Sequence, residues 1–203
     1  MPKRVTINHP LLNRLRKLDK VAAKRFPGEF FPGFGSLGLI LNSQLKHGGY
    51  YCTPTNTLAF ASTGGDGVHF SFLVDNGKIT DKSPVVITIP TTDHPNYIGG
   101  ESLFDFLCLG YYRGYFGLGN AGEERFFEAY SSGKWPLSEV EGRLPDWDGA
   151  IGYGVSDYNR KVLEFLIAEL GLSPWKGLKQ KFERLQKLYY PMLDIPEEGK
   201  GLG

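Results

Sequence analysis

Two glycine-rich segments are the first candidates for chemistry in this chain of 203 residues. Residues 33–38 (GFGSLG) match the pattern G-x-G-x-x-G, which binds dinucleotides when a strand precedes it and a helix follows it. Here Phe30-Phe31-Pro32 precede the motif, and position 58, where an acidic residue would hold the ribose, is leucine. We therefore interpret residues 33–38 as an aromatic-glycine loop.

The second glycine-rich segment is Gly64-Gly65-Asp66-Gly67. Successive backbone groups in such a segment can hold a phosphate or a cation. No Lys-Ser/Thr pair follows, as a nucleotide-hydrolase phosphate loop would require, and a hairpin turn accounts for every residue. A small-molecule or nucleotide-binding protein that uses these two loops remains the alternative function.

The histidines and cysteines do not show the spacing of a metal or nucleophile site. Cys108 lies within an apolar run, which predicts a small buried side chain, and His69 is expected on the outer face of a sheet. We therefore expect no catalytic residue, no metal, no cofactor and no enzymatic activity. Two cysteines form no disulfide framework and no apolar run is long enough to span a membrane, so a cytoplasmic setting is expected.

Charge and aromatic residues indicate protein recognition. Residues 1–28 carry eight Lys/Arg and one Asp, whereas residues 29–170 carry nine basic and seventeen acidic residues. A net charge of +1 does not predict nucleic-acid binding. The second half of the chain is rich in aromatic residues, which serve either a core or a recognition surface. The candidate partner-binding residues are Glu123, Glu124, Asp146, Trp147 and Asp148.

The elements that must position these residues follow from hydrophobic periodicity. Helical spacing predicts a first helix from Pro10 to Arg25, with a basic outer face. Alternation predicts strands at 57–61, 68–74 and 84–90, joined by turns at 62–67 and 75–77. Further helices are predicted at 101–112, 123–130, 156–169 and 173–190. Residues 27–50 are expected to be irregular or partly extended, and residues 91–100 are expected to form a polar loop. The C-terminal residues 191–203 are expected to be frayed.

These elements define an α+β fold with a mostly antiparallel sheet flanked by helices and a helical C-terminal extension. The predicted organisation is a core at 1–131, a Gly/Pro-rich loop at 132–155, and C-terminal helices at 156–203 that pack on the same domain.

The central stretch resembles the SUKH superfamily, which includes fungal cell-wall-assembly regulators and bacterial immunity proteins. The similarity lies in short segments that together cover about a quarter of the chain: Leu58–Ala61, the turn Gly64–Gly67, His69–Phe72, Pro84–Ile89 and Ser102–Leu107. The resemblance implies a non-catalytic protein that binds a protein partner and, in bacterial members, neutralises a toxin. A further alternative is a module that binds a protein through its basic first and last helices. The partner and the oligomeric state stay open.

Overall fold

A computed structural model describes residues 5–27, 31–131 and 157–199. Its centre is a five-stranded antiparallel sheet in the order β2-β3-β4-β6-β7. The strands are β2 (Ile40–Lys46), β3 (Thr57–Ser62), β4 (His69–Leu73), β6 (Val85–Thr88) and β7 (Asn96–Gly100). Two short strands, β1 (Thr6–Asn8) and β5 (Lys78–Thr80), form a separate parallel pair.

Helices flank the large sheet. They are α1 (Pro10–Arg25), α2 (Leu103–Leu109), α3 (Glu124–Ser131), α4 (Asp157–Leu170) and α5 (Leu178–Tyr189). The prediction of an α+β fold with a mostly antiparallel sheet is therefore confirmed. The predicted loop at 132–155 lies outside the described residues.

One face of the sheet holds an aromatic core. Phe70 and Phe72 of β4 pair across the sheet with Ile87 and Val85 of β6, so all four side chains share a face. Phe106 of α2 packs against this face. Leu12, Leu15 and Ala22 of α1 belong to the same buried cluster, as the helical spacing of these residues predicted.

The opposite face of the sheet is also covered, although the alternation of residues in β4 is typical of a strand with one strongly buried side. Leu73, Val86 and Ile98 pack against Leu185 of α5. All five residues of β4 are buried as a result. Alternation within a strand could not show this, because the covering helix lies about a hundred residues further along the chain.

The strand β7 replaces part of the polar loop expected at 91–100. Gly100 allows β7 to approach α2 closely because glycine has no Cβ atom. A Cβ atom at this position would lie 2.5 Å from the backbone nitrogen of Phe106. The outer edge of β7 is closed by Gln186 of α5. Its Oε1 accepts a hydrogen bond from the Ile98 amide at 2.7 Å, and its Nε2 donates to the Ile98 carbonyl at 2.9 Å. A side-chain amide thus takes the place of a sixth strand on this edge.

The C-terminal segment at residues 192–194 is bound to the loop before β3 rather than frayed. Asn56, just before β3, donates from Nδ2 to the Met192 carbonyl at 2.8 Å and accepts from the Asp194 amide at 2.9 Å. Thr55 donates its amide to the Asp194 carbonyl at 2.8 Å. The prediction of a frayed tail is wrong for these residues, because its contacts are with a distant loop and not with its sequence neighbours.

Candidate functional site

The glycine motif at residues 33–38 forms a buried 3₁₀ helix, Gly33–Leu37, rather than an open loop. The Asp19 carboxylate of α1 accepts a hydrogen bond from the Phe34 amide at 2.8 Å. Burial raises the pKa of Asp19, and this hydrogen bond opposes the increase. The chain's own carboxylate therefore stands where a pyrophosphate would have to approach the Phe34 N–H, which removes the physical basis for nucleotide binding at this motif.

The second glycine segment forms the loop of the β3–β4 hairpin, as predicted. The Thr63 amide donates to the Val68 carbonyl at 3.1 Å, and the Val68 amide donates to the Gly65 carbonyl at 3.1 Å. Asp66 has φ 51°, which the turn requires. The tip of this loop is exposed, whereas the first glycine motif is buried. Of the two glycine segments, only this loop could therefore bind a small molecule as the alternative function requires.

His69 lies on the face of β4 opposite Phe70, as the alternation predicted, but this face is covered there, so the ring lies in a buried polar site and not at an outer surface. Because the Gly67 carbonyl can only accept, Nδ1 of His69 donates to it at 2.8 Å, and Nε2 accepts from the Thr53 hydroxyl at 3.2 Å. The Tyr50 ring stacks on the imidazole at 5.7 Å between centroids. Both ring nitrogens are therefore used by the fold, as expected of a structural histidine.

His9 is the second buried histidine, and it precedes α1. Its Nδ1 lies 2.7 Å from an Asp81 carboxylate oxygen and 3.2 Å from the Leu12 amide nitrogen. The ring therefore accepts the Leu12 N–H or, when Nδ1 carries a proton, donates to Asp81. Its Nε2 has no hydrogen-bond partner among the described residues. Burial lowers the pKa of His9 against the opposing effect of Asp81, and burial likewise lowers the pKa of His69.

The free energy of unfolding is expected to decrease as the pH falls below about 6.5. Burial lowers the pKa values of His9 and His69 in the folded state. Below about pH 6.5 the unfolded chain therefore binds more protons at these two residues than the folded chain does, which favours unfolding. Above it both rings are neutral in both states, and their full contribution to stability is present. Urea unfolding as a function of pH measures the slope.

Matched variants show whether the pH dependence of stability comes from the two buried histidines or from an exposed histidine. The double variant His9→Asn/His69→Gln is expected to have a shallower pH dependence than the wild type. His94→Gln alters an exposed ring and is expected to retain the wild-type slope. A double variant with an unchanged slope would contradict the assignment.

Neither cysteine has the surroundings of a nucleophile. Cys52 and Cys108 are both buried and free, and burial raises the pKa of both thiols. The predicted burial of Cys108 is thus confirmed. Within the described ranges, no group of three or more His, Cys, Asp or Glu side chains could hold a metal ion.

Of the predicted partner-binding residues, Asp146, Trp147 and Asp148 lie outside the described residues. Glu123 and Glu124 are exposed at the start of α3. Burial raises the pKa of Tyr97 on β7, and the nearby carboxylate of Glu123 adds to the increase, as does Tyr190. Glu124 lies 3.4 Å from the Lys179 ammonium of α5. A Cβ atom at Gly122, next to Glu123, would lie 2.6 Å from the Tyr97 ring, and Glu124 pairs with Lys179, which lies over the Phe127 ring.

These residues form a mixed acidic and aromatic region, which we call the α3 surface: Tyr97, Glu123, Glu124, Phe127 and Tyr190. Tyr190 is 38% exposed, and the Lys179 ammonium lies 5.6 Å from the centre of the Phe127 ring. Tyr97 and Phe127 are partly buried against the core, so Tyr190 supplies the exposed aromatic ring that is typical of a protein-binding surface. Tyr97 and Tyr190 were not singled out from the sequence, because they meet α3 only through the packing of α5 against β7.

A cleft of about 460 Å³ adjoins the α3 surface. Four aromatic rings contribute to its walls, from Tyr112, Phe127, Tyr130 and Trp175. The first turn of α5, residues 177–180, forms the remaining side. Lys181 lies 4.2 Å from the centre of the Trp175 ring, and the Trp175 indole N–H donates to the Asp105 carbonyl at 2.9 Å. These contacts fix Trp175 as a preformed wall of the cleft.

Comparison with known protein families, with curated proteins and with solved structures finds no match for this chain. The resemblance to the SUKH superfamily thus stays a prediction from the quoted segments. Among the described residues, no helix combines the length and the apolar character needed to cross a membrane.

Proposed function

We propose that this chain is a non-catalytic protein-binding domain of the SUKH type that binds and neutralises a toxin. The observation that carries the proposal is the α3 surface, where Glu123 follows a glycine that lies against the Tyr97 ring and Glu124 pairs with Lys179, which lies over the Phe127 ring. Aromatic rings supply the apolar contact area of an interface, and carboxylates select a basic partner. A toxin with a basic active site fits this combination.

The ion pair of Glu124 with Lys179 does not prevent this use. The two side chains are 72% and 49% exposed, and an ion pair so open to solvent contributes little to stability. A partner's Arg or Lys side chain can therefore replace Lys179 as the counter-ion of Glu124. The proposal includes no catalytic step, no cofactor and no nucleic acid, and it keeps the predicted cytoplasmic setting.

Co-expression with the product of the adjacent toxin-like gene tests the proposal. The wild-type chain is expected to restore growth and to form a complex that elutes as one peak on gel filtration. The double variant Glu123→Lys/Glu124→Lys is expected to weaken binding by about tenfold or more, because it sets like charges against a basic partner. Binding is measured by calorimetry on the purified pair.

A matched double variant controls for net charge. Glu164→Lys/Asp93→Lys makes the same change of net charge at exposed positions on α4 and in the β6–β7 loop. It is expected to alter the affinity by less than about twofold. Equal losses in both variants would reject the α3 surface, and a wild-type chain that neither rescues growth nor forms a complex would reject the function itself.

A further inference from the structure

The outer face of α1 carries three lysines in a row, Lys17, Lys20 and Lys24, which we call the lysine stripe. Residues spaced by three and four positions lie on one face of a helix, and these three span about 10 Å along its axis. All three side chains are exposed. Val21 lies next to Lys20 and is 48% exposed. The stripe is therefore a basic surface with a small apolar centre.

The other cations of α1 are used within the fold. Arg14 donates to the Glu169 carbonyl of α4, and Arg16 donates to the Asn42 carbonyl of β2 at 2.8 Å. Arg25 lies 5.3 Å from the centre of the Phe26 ring and 5.6 Å from that of Phe165. The arginines thus attach α1 to its neighbours, whereas the lysines take no part in this packing.

No carboxylate among the described residues lies within ion-pair distance of the lysine stripe. The one acidic residue of α1, Asp19, instead accepts a hydrogen bond from the Phe34 amide. Burial raises the pKa of Asp19, and Lys20 opposes the increase by electrostatic attraction. This carboxylate therefore offsets part of the charge of the stripe, and most of its positive charge remains uncompensated by the described residues. Such a face favours an anionic partner by long-range attraction.

The other basic helix, α5, differs in this respect. Lys181 pairs with Asp105, Arg184 with Glu101 at 3.2 Å, and Lys179 with Glu124 at 3.4 Å. These pairs connect α5 to α2, α3 and the end of β7. Of the two basic helices that the sequence suggested as a binding surface, α5 thus has three of its four cations in ion pairs, whereas the stripe lysines of α1 form no ion pair with the described residues.

We propose that the lysine stripe binds an acidic segment of a partner protein. A surface for single-stranded nucleic acid combines its basic residues with aromatic rings for base stacking, and the stripe contains no aromatic residue. A surface that reads duplex DNA adds arginine or amide side chains for the bases, which the stripe also lacks. A helix that lies on a membrane buries a broad apolar face in the lipid, but the apolar residues Leu12, Leu15 and Ala22 of α1 are buried in the core. Carboxylates spaced along about 10 Å of a helix or an extended chain match the stripe, with a small apolar side chain against Val21.

This surface is independent of the proposed function. The α3 surface presents carboxylates and fits a basic partner, whereas the lysine stripe fits an acidic one. Charge reversal on α1 is therefore expected to leave toxin binding at α3 unchanged, so the two proposals can fail separately.

Fluorescence anisotropy with the full chain and a labelled peptide of alternating glutamate and alanine blocks tests the stripe. The wild-type chain is expected to bind this peptide, with an affinity that decreases as the ionic strength is raised to about 0.15 M. The triple variant Lys17→Glu/Lys20→Glu/Lys24→Glu is expected to reduce the affinity by about tenfold or more. Circular dichroism checks that the triple variant is folded. If the glutamate variant does not fold, the triple variant Lys17→Gln/Lys20→Gln/Lys24→Gln is used in its place.

The control variant Lys46→Glu/Lys78→Glu/Lys187→Glu changes the net charge equally at exposed lysines on β2, β5 and α5. It is expected to change the peptide affinity by less than about twofold. Equal losses in both triple variants, or no binding by the wild type, would overturn the proposal. Tighter, stripe-dependent binding of single-stranded DNA or of phosphatidylserine vesicles would overturn the assignment to a protein partner.

Discussion

Replacement of Phe106 by alanine is expected to reduce the free energy of unfolding by about 3–5 kcal/mol. The Phe106 ring of α2 is fully buried. Its centre lies 4.9 Å from that of Phe70, 5.2 Å from Tyr115 and 5.9 Å from Phe60. The ring thus joins α2 to two strands and to the segment after α2. The truncation removes these contacts and leaves a cavity that rigid strands cannot fill.

The same helix offers a matched control. Phe104 lies two residues earlier and is 40% exposed, so Phe104→Ala is expected to change stability by at most about 0.5 kcal/mol. Urea unfolding of the wild type and the two variants provides the comparison. Similar values for Phe104→Ala and Phe106→Ala would mean that α2 does not present Phe106 to the core.

Gly38→Ala is the second large effect, with an expected loss of about 2–4 kcal/mol. Gly38 ends the buried 3₁₀ helix with φ 78°, a left-handed conformation that disfavours a side chain. An added Cβ atom would also lie 2.6 Å from the backbone nitrogen of Phe116. Because the neighbour is backbone, it cannot rotate away as a side chain would.

Gly65→Ala is the control for this substitution. Gly65 lies in the exposed hairpin loop, and an added Cβ atom would have no neighbour within 4 Å. Its expected effect is at most about 0.5 kcal/mol. Thermal unfolding in the absence of any ligand measures both variants. A Gly38→Ala variant as stable as Gly65→Ala would contradict a packing role, and it would return the G-x-G-x-x-G motif to consideration as a ligand loop.

The two proposed surfaces have opposite charge and depend on different parts of the fold. The α3 surface depends on the packing of α5 against β7 and α3, which sets Phe182 against Tyr97 and Phe127. The same packing places Lys179 beside Glu124. The lysine stripe exists because the arginines of α1 face its neighbours while Lys17, Lys20 and Lys24 face solvent. The two charge reversals, each with its matched control, therefore report on separate interfaces.

The elements with strong local signals could be predicted from the sequence. The apolar spacing from Leu12 to Ala22, with Pro10 at the first turn, predicted α1. The residues between β3 and β4 predicted a hairpin, and the β-branched run at 84–90 contains β6. In each case the determining interactions lie within one element or between adjacent elements. The assignment of Glu123 and Glu124 to a partner-binding surface stays a prediction, since their exposure does not identify a partner.

The sequence by itself therefore determined the α+β class, the first helix, the central hairpin and the burial of Cys108, because turn chemistry and hydrophobic periodicity act over a few residues. Only the tertiary structure decided that Gly99-Gly100 belong to a strand, that the Asp19 carboxylate accepts the Phe34 amide of the glycine motif, and that Lys179, Lys181 and Arg184 of α5 pair with carboxylates of other elements. These features depend on contacts between residues far apart in the chain, which no local pattern encodes. The same long-range packing decides which charges remain on the surface for a partner.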